Sequence, residues 1–294
     1  MDLSYDDLLK NLKNKPIEQL IFSSDARTMI YGKVTKSHIV TKCLQKKDFP
    51  KTDNIHCCNI ICEGIGHESA DVGTFVIQEL DKNIRNPKKP LKDNFELTLT
   101  QQPSIISTNL MNSKLNTLYS GVQTAYYYIK GNKLLATSIG SINLYIIYKK
   151  NKKFTYKILT KSYSIEEDIE KVRIHQTGVT KHNDNYYLSL LKDEEKVPLN
   201  ILKSSRILGM FAGLQFGIGW ESDFMVYDLN ETDCIIFMAT EDMFEVANVE
   251  SFVKLICDLY SKRIKVEEAN EKIEEKLQGR IAKLNLEYID ISWS

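Results

Sequence analysis

His56, Cys57, Cys58, Cys62 and His67 crowd into one short stretch, and imidazole with thiolate is the donor set that tetrahedral zinc takes. Their spacing argues against that chemistry. Cys57 and Cys58 are neighbours in the apolar run CCNIICEGIG, and successive side chains of a strand point to opposite faces, so the pattern reads as buried thiols on a strand. The run Tyr126-Tyr127-Tyr128 offers a second chemistry, a platform on which nucleic-acid bases stack. On an alternating strand of a protein with no net charge it reads instead as core and sheet packing. The other cysteines, Cys43, Cys234 and Cys257, are dispersed along a chain with no secretory signal, which favours reduced thiols over a disulfide framework.

The elements that must position these groups follow from periodicity. Helices are expected at 4–12, where Ser4 can cap, at 69–84, where Val72, Phe75, Val76 and Leu80 share a face, and at 249–260 and 266–283. A further acidic helix is expected at 165–174, with Glu166/Glu170 and Glu167/Lys171 four apart. Strands are expected at 29–34, 38–44, 56–62, 124–129, 133–138, 143–148, 234–239 and 286–293. The middle three are joined by Gly131-Asn132 and Gly140-Ser141, the signature of an antiparallel meander. Strands in two blocks with helices outside imply stacked sheets under helical cover. Lys+Arg 39 against Asp+Glu 39 leaves no global field for nucleic acid or an anionic membrane, and no apolar stretch of spanning length is present. No linker or repeat divides the chain, so one domain over 1–294, soluble and cytoplasmic, is expected.

The stretch 121–141, GVQTAYYYIKGNKLLATSIGS, resembles a hallmark of the metal-dependent PPM (PP2C-type) serine/threonine phosphatases: G-S-T-A, an apolar strand, G-N-K-L, a second strand, then A-N-V-G-D-S. Ser141 stands at the aspartate. The resemblance runs through residues 26–293 in the family's order. R-x-x-M-E-D is matched by Ala26-Arg27-Thr28-Met29-Ile30-Tyr31, with Tyr31 at a metal aspartate. D-G-H-G-G is matched by Glu63-Gly64-Ile65-Gly66, with Glu63 at the bridging aspartate and Gly64 kept. The acidic helix ending R-I ends here at Arg173-Ile174, with Ser162 at the aspartate that leads it. L-A-V-S-R-A-L-G-D is matched by residues 202–210 with Met210 at the acid, D-G-L-W-D by a segment opening Glu241-Asp242, and G-S-x-D-N by residues 281–285 with Leu284 at the acid.

The resemblance implies an α+β fold, the family's α-β-β-α sandwich of two antiparallel sheets flanked by helices. In the family two divalent ions held by aspartates activate water and neutralise phosphoryl oxygens. Tyr31, Ser141, Met210 and Leu284 supply no carboxylate, and Glu63 and Glu241 place theirs one methylene farther from the backbone, where about 0.5 Å of misplacement is already costly. The expectation is a pseudophosphatase without catalytic or cofactor-binding residues, acting as a scaffold or regulatory subunit for another protein, a kinase or other signalling protein. The alternatives are a divergent Mn- or Mg-dependent phosphatase using Glu63, Glu241 and Asp242, or capture of phosphoserine or phosphothreonine through Arg27. Segments 86–116 and 181–198, which depart from the family, are candidate partner surfaces.

Overall fold

The computed structural model describes residues 39–45, 55–66, 68–84, 95–174, 179–182, 185–192, 195–202, 204–230, 232–240, 244, 248–276 and 284–288. One antiparallel sheet holds β1 (Ile39–Gln45), β2 (Ile55–Ile65), β3 (Gly121–Lys130), β4 (Lys133–Ile139) and β11 (Phe224–Asp228) in that spatial order. The short strand β10 (Leu208–Gly209) pairs with the start of β3. A second antiparallel sheet has the order β13 (Leu284–Tyr288), β12 (Asp233–Ala239), β5 (Asn143–Lys150) and β6 (Lys153–Ile158). Three further strands, β7 (Val179–His182), β8 (Asn185–Lys192) and β9 (Glu195–Leu202), form a sheet of their own.

Strand alternation sorts the apolar residues into layers. Ile61, Ala125, Tyr127, Ile129 and Ala136 from the first sheet meet Leu144, Ile146, Ile236 and Met238 from the second in a buried inner core. The opposite face of the first sheet, with Ile60, Cys62, Tyr126 and Tyr128, packs under α1 (Ser69–Ile84) and α2 (Phe95–Met111). The outer face of the second, with Tyr145, Ile147 and Phe237, is covered by α4 (Val249–Ser261) and α5 (Val266–Lys276). Tyr145 stacks on Phe237 at 4.5 Å between ring centroids. The layers are therefore helix, sheet, sheet, helix, as the sequence implied. The tyrosine run divides between two cores rather than forming an exposed platform, and Cys57 and Cys58 face opposite ways as buried thiols.

Several boundaries differ from the sequence reading. The helix expected at 165–174 is only α3 (Asp168–Arg173), and Lys171 pairs with Glu166 at 3.1 Å rather than with Glu167. Segment 86–116 contains α2, a helix that its β-branched residues, serines and internal Pro103 disguise. Tertiary packing forms it: Leu99, Ile106 and Leu110 are buried, and Asn83 and Asn109 donate to Gln102 and Glu79 across the α1–α2 interface at 2.7 and 2.5 Å. Segment 181–198 lies within β7–β9. Strands β6 and β11, edges with partly exposed residues, were not expected: β6 alternates weakly, and the apolar run of β11, Phe224–Asp228, was passed over. The elements expected at 4–12 and 29–34 lie outside the described residues. Among those described, no helix is long and apolar enough to cross a membrane.

Candidate functional site

Strand β4 leaves β3 at Thr124, and β10 takes over the pairing at Val122 and Gly121, so Gln123 stands at a seam between two partners. At the same level the chain crosses from one sheet to the other through Gly140, Ser141 and Ile142 to β5. The last part of β2 brings Glu63 directly opposite Gln123, with Gly64 opposite Val122. Leu284, the first residue of β13, pairs with Ala239, which also pairs with Asn143 just beyond the crossover. The fold thus gathers the backbone of Glu63, Gly64, Ser141, Met210 and Leu284 at one end of the sandwich. Tyr31, Glu241, Arg27, Asp242 and His67 lie outside the described residues.

Glu63, Gln123 and Ser141 are all buried and form a relay. The Ser141 N–H donates to Gln123 Oε1 at 2.7 Å and its hydroxyl donates to the same oxygen at 2.9 Å. A backbone N–H can only donate, so the amide must present its oxygen to Ser141 and its NH2 the other way. Gln123 Nε2 accordingly reaches Glu63 Oε2 at 3.5 Å. Gly140 makes the room: it sits at φ +109°, and a Cβ there would lie 2.5–2.8 Å from Gln123 side-chain atoms.

Among the described residues this arrangement offers few ligands for a pair of divalent ions. Such ions need several anionic oxygens, and Glu63 is the one carboxylate in the relay. Both polar groups of Ser141 point at Gln123. Met210 adopts a left-handed backbone at φ 49°, held by its N–H donating to the Ser120 carbonyl at 2.9 Å, and its side chain is buried in the apolar layer beneath the helices. Among the described residues no group of three or more His, Cys, Asp or Glu side chains could hold a metal ion.

A second cluster explains which motif residues persist. Glu170 on α3 is buried and accepts hydrogen bonds from the Ser205 hydroxyl, from Arg173 Nε at 3.0 Å, and from Arg206 Nε and Nη2 at 3.2 and 3.1 Å. Burial pushes its carboxyl up, but the hydrogen bonds from Arg206 and Ser205 and the charges of Arg173 and Arg206 outweigh it, bringing the pKa down to about 2. The Arg206 guanidinium also lies 4.7 Å from the Tyr163 ring centroid and bonds Glu221, while Arg173 Nη2 donates to the Ser205 carbonyl at 2.8 Å. This network clamps the segment that becomes β10, and so fixes the register beside Gln123.

Gln123 escapes a sequence search for acids because an amide is a poor metal ligand. Its signal is a long amide where the resembled motif has serine. Glu170 was legible only as one of several acids on an exposed helix.

The protein phosphatase 2C family model matches residues 30–283. No curated protein gives a significant sequence match. Among solved structures, a serine-threonine phosphatase 2C from Toxoplasma gondii superposes with a TM-score of 0.66 at 14% identity, over 87% of this chain and 92% of that one. A C. elegans sex determining protein gives 0.60 at 15% identity, over 97% and 70%. A bacterial serine phosphatase gives 0.55 at 11% identity, over 86% and 98%.

Proposed function

The chain belongs to the protein phosphatase 2C family, and we propose that it is a pseudophosphatase, a single domain over 1–294 that works in the cytoplasm by binding another protein rather than by cleaving phosphate esters. The observation that carries this reading is Gln123. Its amide bridges Glu63 and Ser141, two positions at which the resembled motifs carry metal-binding aspartates, and this supports the reading. Met210 supports it, because its thioether belongs to the apolar layer and could be replaced by an acid only at the cost of burying an unpaired charge.

What persists is the architecture. The Glu170 clamp holds the segment that pairs as β10 with β3, and three buried cores are present; this retained frame supports the reading of a domain that binds a partner such as a kinase or another signalling protein. Hydrolysis of p-nitrophenyl phosphate and of a phosphothreonine peptide, each with manganese or magnesium, is the test. The expected result is no release of phosphate above the buffer rate. Metal-dependent release that disappears in Glu63→Ala would instead establish the divergent phosphatase.

A further inference from the structure

Two hairpins place six lysines at the end of the sandwich opposite Glu63 and Ser141. Lys130 and Lys133 flank the β3–β4 turn, while Lys149, Lys150, Lys152 and Lys153 surround the β5–β6 turn. The tips are adjacent because both are tied to the turn between β11 and β12: Leu229 N–H donates to the Asn132 carbonyl at 2.7 Å, and Lys149 N–H donates to the Thr232 carbonyl at 2.8 Å. All but the half-buried Lys130 are exposed, and among the described residues none of the other five is in an ion pair. Among the described residues of a chain with no net charge, these tips therefore form a strongly positive surface.

Protection of a sheet edge accounts for little of this. Lysines do blunt exposed edge strands, yet only Lys153 lies on the edge strand β6, whereas Lys130, Lys133, Lys149 and Lys150 lie on interior strands. The turn itself is informative. Asn151 and Lys152 have φ of 51° and 63°, the two-residue hairpin turn in which glycine is favoured at the second position. A lysine there bears a backbone cost of roughly 1–2 kcal/mol. The hairpin is rigid beneath its charges, since Lys149 Nζ sits 5.4 Å from the Phe154 ring centroid and Phe154 packs edge-on against Tyr260.

We infer that this surface is a docking site for an acidic segment of a protein partner. The inference goes beyond the proposed pseudophosphatase and stands whether or not the cleft is inert. An acidic peptide fits better than a bilayer or a nucleic acid. Among the described residues the exposed large apolar side chains, Ile105, Ile158, Ile169, Val172 and Val226, all lie outside the two turns, and the aromatic rings beside them, Tyr148, Phe154 and Tyr227, are half-buried, so the tips offer no fully exposed apolar group for lipid or for stacking on bases. Asp228, exposed and directly opposite Lys133, interrupts the positive surface that a continuous phosphate array would cover.

The test is fluorescence anisotropy of a labelled oligoglutamate peptide titrated with the full chain, beside an oligothymidylate of matched charge and phosphatidylcholine–phosphatidylserine vesicles. Oligoglutamate is expected to saturate and to weaken on the order of tenfold when Lys150, Lys152 and Lys153 are reversed to Glu, from the usual strength of exposed charge pairs. The same reversal at the exposed Lys254 and Lys265 is expected to leave binding unchanged. Lys152→Gly separates folding from binding: it should hold or raise the melting temperature while weakening oligoglutamate. Absent binding, binding indifferent to the hairpin reversal, or tighter binding to oligothymidylate or vesicles would overturn the assignment. None of these results bears on phosphate release, so they leave the reading of the cleft to its own assay.

Discussion

Replacing Glu170 by Gln keeps the size of the side chain and an oxygen for the Ser205 hydroxyl, and removes only the charge that Arg173 and Arg206 face. In the native protein that carboxylate is buried and engages both guanidinium groups at 3.0–3.2 Å. Removing one partner of a buried pair costs about 3–5 kcal/mol. Arg173 and Arg206 keep side-chain exposures of 27% and 15%, so part of their charge is re-solvated and the low end, about 3 kcal/mol, is the expected loss. For a chain of this size that corresponds to a fall in melting temperature of roughly 5 °C.

The sign with pH follows from linkage. A carboxyl held at about 2 in the folded state, against 4.5 unfolded, contributes its full stability above the unfolded value and loses it as pH falls towards 2. The gap between wild type and Glu170→Gln, followed by differential scanning fluorimetry, should therefore be wide at neutral pH and narrow steadily below about 4.5. An unchanged melting temperature, or a gap that is the same at pH 3 as at pH 7, would refute the idea that this ion cluster clamps the β10 segment.

Gln123→Ala strips Ser141 of its acceptor and Glu63 of a donor in a buried layer, and should cost about 2–3 kcal/mol in urea unfolding. Gly140→Ala places a methyl within 2.5–2.8 Å of Gln123 at a φ of +109° that alanine disfavours, so a loss of at least about 2 kcal/mol is expected by the same assay. The Cys62 thiol, pushed up to about 12 by burial despite its contact with Thr124, should resist iodoacetamide at pH 8 in the native protein and label at the rate of unfolding, as read by peptide mass spectrometry.

The fold was legible where local pattern and tertiary role agree. Residues 69–84 carry an apolar stripe at helical spacing and are helical over that range, and the β3–β4 hairpin needed only its Gly131-Asn132 turn; the meander expected to continue into 143–148 breaks at Gly140, where the chain crosses to the second sheet and β5 pairs with β12 and β6 instead. Helix α2 was hidden because Thr98, Thr100 and Pro103 oppose a helix that its buried stripe imposes, and β6 because an edge strand alternates weakly. Of the site, the sequence pointed to Glu63, Ser141 and Met210, whose backbones the fold brings to one end of the sandwich. It passed over Gln123, because the role of a hydrogen-bonding amide depends on the residue across the strand and on the crossover loop. Glu170 was similarly opaque: an acid on a short surface helix becomes a buried pivot only through Ser205 and Arg206, more than thirty positions later.

The central claim is that the relay has replaced the ions, and calorimetric titration of the chelator-stripped full chain with manganese, then magnesium, addresses it most directly. The account predicts no saturable heat up to millimolar ion. Saturable binding abolished by Glu63→Ala would contradict it, and would mean that the amide of Gln123 yields to a metal.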